Sequence, residues 1–220
     1  MSITRPRRTK KVQEEKQKFE ALNEEQEDYL QAIDENDIII ALGPAGTGKT
    51  CCAAAKAAEY LLNGSIDRII IARSSAQADD IGFLPGSEVE KISPALNGIL
   101  AELSEFLNVK KEINDGRIEI NSLAYLKGRT FKHSFAILEE AQNCTYAQLK
   151  MFVTRLGAGT KIIISGDVAQ SDLIYSHSND FPKFKNQLER IATEKNRIEI
   201  VELIKSVRHP IIDILLGVLD

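Results

Sequence analysis

The chain has 220 residues, 43% of them hydrophobic and 27% charged, enough to bury a full core in one domain with an N-terminal extension but not to build a second full-size domain. A net charge of −4 excludes a polycation that coats nucleic acid over its whole surface, so any such contact must use a local basic patch. The N-terminus has no apolar signal core and no segment is apolar for long enough to cross a membrane, while Cys51, Cys52 and Cys144 lack metal-ligand spacing and read as reduced thiols of a cytoplasmic protein.

Residues 1–22 read as a charged extension and residues 23–220 as the folded domain. Arg5, Arg7, Arg8, Lys10 and Lys11 form a basic cluster, read as a solvated tail or, functionally, as a contact to nucleic-acid phosphates. Asn23-Glu24-Glu25-Gln26 has the pattern of a helix start, with Gln26 in the reciprocal capping position. Gln26 with Tyr29 is also similar to the adenine-reading Gln-x-x-Tyr of helicase-type ATPases, and both readings stand at this point.

Next comes the apolar run Ile38–Leu42, then Gly43-Pro44-Ala45-Gly46-Thr47-Gly48-Lys49-Thr50, then a helical pattern from Lys49 to Leu62 that includes Cys51. Strand, glycine-rich loop, Lys-Thr pair and helix stand in the order of a phosphate-binding loop. The glycines allow backbone N–H groups to converge on phosphates at the positive end of a helix. Lys49 would add a point charge, and Thr50 a hydroxyl ligand for magnesium.

Further short apolar runs alternate with helical patterns, the rhythm of a parallel sheet covered by helices. The predicted strands are Arg68–Ala72, Arg117–Asn121, Phe135–Leu138, Lys161–Ser165 and Ile198–Leu203, and the predicted helices Ser87–Leu107, Thr145–Leu156, Pro182–Glu194 and Pro210–Leu219. The strand Phe135–Leu138 runs directly into Glu139 and Glu140, so that a buried strand delivers two carboxylates to the sheet edge where ligands sit. Glu139 is read as orienting magnesium through its water shell and Glu140 as polarising the attacking water, with the acidic start of a following helix as the plain alternative. After Lys161–Ser165 follow Gly166, Asp167, Gln170 and Asp172, and Gln170 is placed to hydrogen-bond the γ-phosphate or the water in line with it. Phe83-Leu84-Pro85-Gly86 reads either as a proline-fixed turn or as an exposed apolar loop that meets a base or a neighbouring subunit. His133, His177 and His209 are too scattered for a metal site or a triad.

Taken together, the run Gly43–Thr50, Gly82-Phe83-Leu84-Pro85-Gly86, Lys127-Gly128-Arg129-Thr130, Ile137-Leu138-Glu139-Glu140-Ala141-Gln142-Asn143, Gly166-Asp167-Val168-Ala169-Gln170-Ser171-Asp172 and Val207-Arg208-His209-Pro210 resemble the PhoH-like proteins. The resemblance extends from about residue 26 to residue 215. It implies a three-layer α/β fold, RecA-like, with a mainly parallel sheet and a relation to superfamily 1 helicases. It further implies ATP, magnesium, and RNA or single-stranded DNA as partner, in a family first associated with phosphate starvation and common in phages. The sequence departs from the family at Glu139, where aspartate is usual, and at Ser74, where proline is common. Some relatives fuse an aspartate-rich nuclease domain to the ATPase; the stretch before residue 35 is too short for one, so nuclease activity is not expected.

Helicase-type motors work in a cleft between two such domains, and this chain is read as holding one. A neighbouring copy would then supply the far wall, as in a homohexameric ring. Arg155 is the first candidate for an arginine acting in trans, Arg208 the second and Arg129 the third; a surface or ion-paired arginine is the plain alternative for each. A small-molecule kinase would need an arginine-rich lid that the sequence lacks, whereas a nucleotide-gated regulatory module with little turnover remains open because of Glu139.

Overall fold

The computed structural model describes residues 19–73, 97–168 and 180–219. The basic cluster, Ser74, the segment Gly82–Gly86, Gln170, Asp172 and His177 lie outside the described residues.

The elements follow in order: α1 (Glu24–Glu35), β1 (Ile38–Leu42), α2 (Lys49–Leu62), β2 (Arg68–Arg73), a helical stretch α3 (residues 97–104), α4 (Val109–Asn114), β3 (Ile118–Ser122), a 3-10 turn (Leu123–Leu126), β4 (Ser134–Glu139), a second 3-10 turn (Ala141–Asn143), α5 (Tyr146–Val153), β5 (Lys161–Gly166), α6 (Asp180–Glu189), a third 3-10 turn (Glu194–Asn196), β6 (Ile198–Glu202) and α7 (Pro210–Leu219). The strands form one sheet in the order β3-β2-β4-β5-β1-β6. Each neighbouring pair runs parallel, so the expected mainly parallel sheet is parallel throughout its described strands.

The strand boundaries predicted from apolar runs fall within a residue or so of those observed. Buried β1, β4 and β5 are apolar on both faces, as strands must be when helices cover the sheet on each side. Alternation divides their side chains between two cores. Ile39, Ala41, Ile71, Ile137 and Ile163 face α1, α2 and α3; Ile40, Leu42, Leu138, Ile162 and Ile164 face α5 and α6. The result is the three-layer α/β sandwich.

The α2 face against the sheet is unusually small. Cys52, Ala53, Ala54, Ala57 and Ala58 are buried there, and alanine combines the best helix propensity with the closest approach of helix to sheet. The helix that begins at the phosphate loop is thereby seated directly on the strands. On the other face, α5 begins with a full capping box, in which the Thr145 side chain accepts from Gln148 N and the Gln148 side chain accepts from Thr145 N.

Several helices differ from expectation: α5 stops at Val153, short of the predicted Leu156, and of the predicted helix Ser87–Leu107 residues 87–96 lie outside the described residues, while 97–104 are helical. α6 stops at Glu189, short of the predicted Glu194, and the chain re-enters a separate 3-10 turn. α4, with Asn108 capping Lys111 N, has no counterpart among the predicted helices, because six residues give too short a period to read.

Phe152 on α5 is buried and stacks edge-on against Phe131, with centroids 5.7 Å apart. Replacing Phe152 with alanine should cost about 3–5 kcal/mol, observed as a lower denaturation midpoint with an unchanged denaturant slope.

Candidate nucleotide site

Because the sheet is parallel, its carboxyl-terminal edge gathers the ends of β1, β2, β4, β5 and β6. Here Leu42 is paired with Gly166 and with Glu202, and Arg73 with Glu139. A cavity of about 440 Å³ opens at this edge, between the loop Gly43–Thr50 and the acidic end of β4.

The loop takes its shape from glycines in the left-handed region. Gly46 has φ 86°, and a Cβ there would lie 2.1 Å from Arg208 Nε; Gly48 has φ 92°, and a Cβ there would lie 2.4 Å from Gln26 Nε2. Both positions therefore need glycine for the backbone angle and for the space. Thr47 Oγ1 donates to Pro44 O at 3.1 Å and closes the turn.

Lys49 Nζ donates to Gly43 O at 2.6 Å and to Pro44 O at 2.7 Å. Burial lowers its pKa, against the opposing pull of Asp167, Glu139 and Glu140. A cation held at the mouth of a glycine loop, with carboxylates nearby, is well placed to exchange carbonyl partners for phosphate oxygens.

Thr50 Oγ1 donates to Glu139 Oε2 at 3.0 Å, joining the start of α2 to the end of β4. Glu139 is 9% exposed, and its carboxyl is pushed up to about 7, chiefly by burial, with the Glu140 charge adding and Thr50, Lys49 and Arg73 opposing. Glu139 Oε1 is buried and has no partner among the described residues. A buried carboxylate oxygen lacking a donor, beside a threonine hydroxyl at a phosphate loop, fits a divalent cation with oxygen ligands.

Glu140 follows at φ 55° and ψ 46°, left-handed for a residue with a side chain. Both acids line the same cavity. Gln142 Nε2 donates to Glu140 Oε2 at 2.7 Å, and Gln142 Oε1 accepts from Asp167 N at 3.1 Å. One buried amide thus ties the second acid to the end of β5. Gly166 leaves room for it, since a Cβ there would meet Gln142 Oε1 at 2.9 Å and Phe181 Cε1 at 2.8 Å. In the sequence Gln142 stands within a motif without an assigned role; only the adjacency of β4 and β5 gives it one.

Gln26 is 1% exposed. Its N–H is capped by Asn23 Oδ1, its Oε1 accepts from Leu22 N at 2.9 Å, and its Nε2 donates to Thr47 O at 3.0 Å. The amide spans the gap between α1 and the phosphate loop; Asn23 caps the helix as expected, but the Gln26 side chain takes the N–H of Leu22 in place of the reciprocal bond to Asn23 N, and adds a tie to the loop. Cys51 lines the cavity. Its thiol is pushed up to about 12, first by burial and then by a hydrogen bond with Glu102, so it is protonated at neutral pH.

Of the arginines, Arg208 comes to the loop in its own chain. Val207 N donates to Gly46 O at 2.8 Å, and the Arg208 side chain crosses Gly46. Arg155 follows α5, which returns to the opposite edge of the sheet. There its Nε donates to Met151 O, Nη1 to Arg129 O and Nη2 to Thr154 Oγ1. Arg129 is ion-paired with Glu119 at 2.6 Å.

The family model described as "PhoH-like protein" matches residues 18–220. The chain belongs to the PhoH family. It is 42% identical over 193 residues to the PhoH-like protein of Bacillus subtilis, covering 85% of this chain and 59% of that protein. It is 46% identical over 159 residues to Protein PhoH of Escherichia coli K12, covering 70% of this chain and 45% of that protein. The chain thus spans about half the length of the curated relatives it matches. Among solved structures it is similar to the Pif1 helicase of Candida albicans, with a TM-score of 0.43 at 14% identity over 92% of this chain and 45% of that one. It is also similar to the Bacteroides Pif1 bound to single-stranded DNA, with a TM-score of 0.40 at 16% identity over 91% of this chain and 46% of that one. No described helix of this PhoH family member is long and apolar enough to cross a membrane.

Replacing Gln26 with leucine should weaken ATP and GTP binding alike and cost about 1–3 kcal/mol of stability, since the Leu22 and Thr47 backbone groups lose their partner. Parallel nucleotide titrations and denaturant unfolding check this; a loss confined to ATP would assign the amide to the base edge.

Proposed function

We propose that the protein binds ATP with magnesium at this site and hydrolyses it, coupled to RNA or single-stranded DNA. The observation that carries the reading is the Thr50–Glu139 hydrogen bond, which brings the phosphate loop and the acid-ending strand into one cavity with Lys49. On this reading the loop N–H groups and Lys49 hold the β- and γ-phosphates. Thr50 and Glu139 would hold the cation, which would supply positive charge to offset that of the phosphates. Glu140, at the end of the acidic strand, orients and deprotonates the attacking water. Gln142 fixes that carboxylate and links it to Asp167, so the β5 end senses the same space.

Arg208 is the arginine this geometry offers to the γ-phosphate, from the same chain. Arg155 is accounted for within its own fold by the bonds that it donates at the opposite edge. A neighbouring copy, in a hexameric ring on this reading, covers the open side of the cavity. Membership of the PhoH family is what supports a nucleic-acid partner.

The deciding experiment measures phosphate release with and without RNA or single-stranded DNA. Lys49→Ala should lose nucleotide affinity while keeping its fold. Glu140→Gln should bind ATP normally and turn over about 10²–10⁴-fold more slowly. Near-normal turnover in Glu140→Gln would place the base elsewhere, and negligible turnover of the unmodified protein under every condition would favour a nucleotide-gated binding module.

A further inference from the structure

Consecutive side chains at the start of α1 hold different walls of the nucleotide cavity. Gln26 holds the phosphate loop at Thr47 O. Glu25 holds the other wall: its Oε2 accepts from Ile204 N at 2.7 Å and from Lys205 N at 2.8 Å. Those amides belong to the segment that leaves β6 and leads to Arg208. Two successive N–H groups converging on one carboxylate oxygen are charge-assisted bonds, and the Glu25 carboxyl is held below the usual glutamate range mainly by them.

The segment has little else to fix its path. Leu203 is the last buried residue, with its N–H donating to Leu42 O, whereas Ile204 is 67% exposed. Between Leu203 and the Val207–Gly46 bond, the Glu25 carboxylate is the side-chain tether among the described residues. An acid in the first turn of a helix is favourable in any case. That accounts for an acid at position 25, but not for its seizing two amides 179 and 180 positions along the chain.

We propose that Glu25 is a positioning residue for Arg208: by fixing residues 204–205 it sets the distance at which the arginine crosses Gly46 and meets the γ-phosphate. The inference rests on the nucleotide-hydrolysing reading above. In this arrangement α1 clamps the loop under the β-phosphate and the arm over the γ-phosphate from a single helical turn.

The test compares Glu25→Ala, Glu25→Gln, Arg208→Ala and the double variant Glu25→Ala/Arg208→Ala, using ATP and ADP titrations and steady-state phosphate release. Glu25→Ala should lower kcat about 10- to 10²-fold and reduce the preference for ATP over ADP while leaving ADP affinity unchanged. Glu25→Gln should recover most of the loss, because one oxygen receives both N–H groups and an amide oxygen can do the same. The double variant should be no worse than Arg208→Ala alone. Amide hydrogen exchange at Ile204 and Lys205 should quicken in Glu25→Ala and return toward normal in Glu25→Gln.

Additive effects in the double variant, an unchanged ATP preference in Glu25→Ala, equal damage from alanine and glutamine, or unaltered exchange at residues 204 and 205 would each overturn the assignment. Lys49→Ala serves as the control. Undiminished nucleotide affinity in that variant would remove the proposed function, and this inference with it, whatever the Glu25 variants do.

Discussion

Parallel pairing in register is the constraint on which the rest of this molecule depends. Because every described strand runs the same way, the ends of β1, β4, β5 and β6 reach one edge at nearly the same level. The phosphate loop, the two acids, Asp167 and the arm bearing Arg208 are then separated by strand spacings of about 4.8 Å, rather than by whatever distance loops would allow. The apolar faces that hold this register, Ile against Ile across both cores, are remote from any chemistry, yet they set its geometry.

Within that frame, the fine placement is done by a few polar side chains taken out of water. Gln26 and Gln142 are both buried, and each uses a carbonyl and an N–H to join separate elements. Such amides are costly when unpaired and rigidifying when paired. Their usefulness here lies in direction: each fixes a neighbour at a definite angle, which dispersion contacts between isoleucines cannot do. Glu139 is the exception, with one oxygen satisfied by Thr50 and the other buried without a partner among the described residues.

Much of this was legible in the sequence. The strand runs at Ile38–Leu42, Lys161 onward and Ile198 onward needed only apolar continuity, and the phosphate loop declared itself through glycine spacing. The acidic pair was legible because an apolar strand that runs straight into two carboxylates must deliver them at its own exit edge. What could not be read were relations between distant segments. Gln142 acquires its role from the β4–β5 adjacency, Glu25 from a segment at the far end of the chain, and Arg208 its place at the loop from the bond of its neighbour Val207 N to Gly46 O. Arg155 shows the converse. Its place after a helix that follows the acidic strand suggested an arginine facing a neighbouring copy, but not that an eight-residue helix would carry it to the opposite edge of its own sheet, where it donates to Met151 O and Arg129 O.

The left-handed conformation of Glu140 has a consequence for how this corner can evolve. Backbone of that kind is roughly 1–3 kcal/mol uphill for a residue with a side chain, and glycine would relieve it. Relief, however, would delete the carboxylate. On the proposed function, selection for a more robust fold and selection for turnover therefore pull against each other at a single pair of dihedral angles, and here the acid is kept.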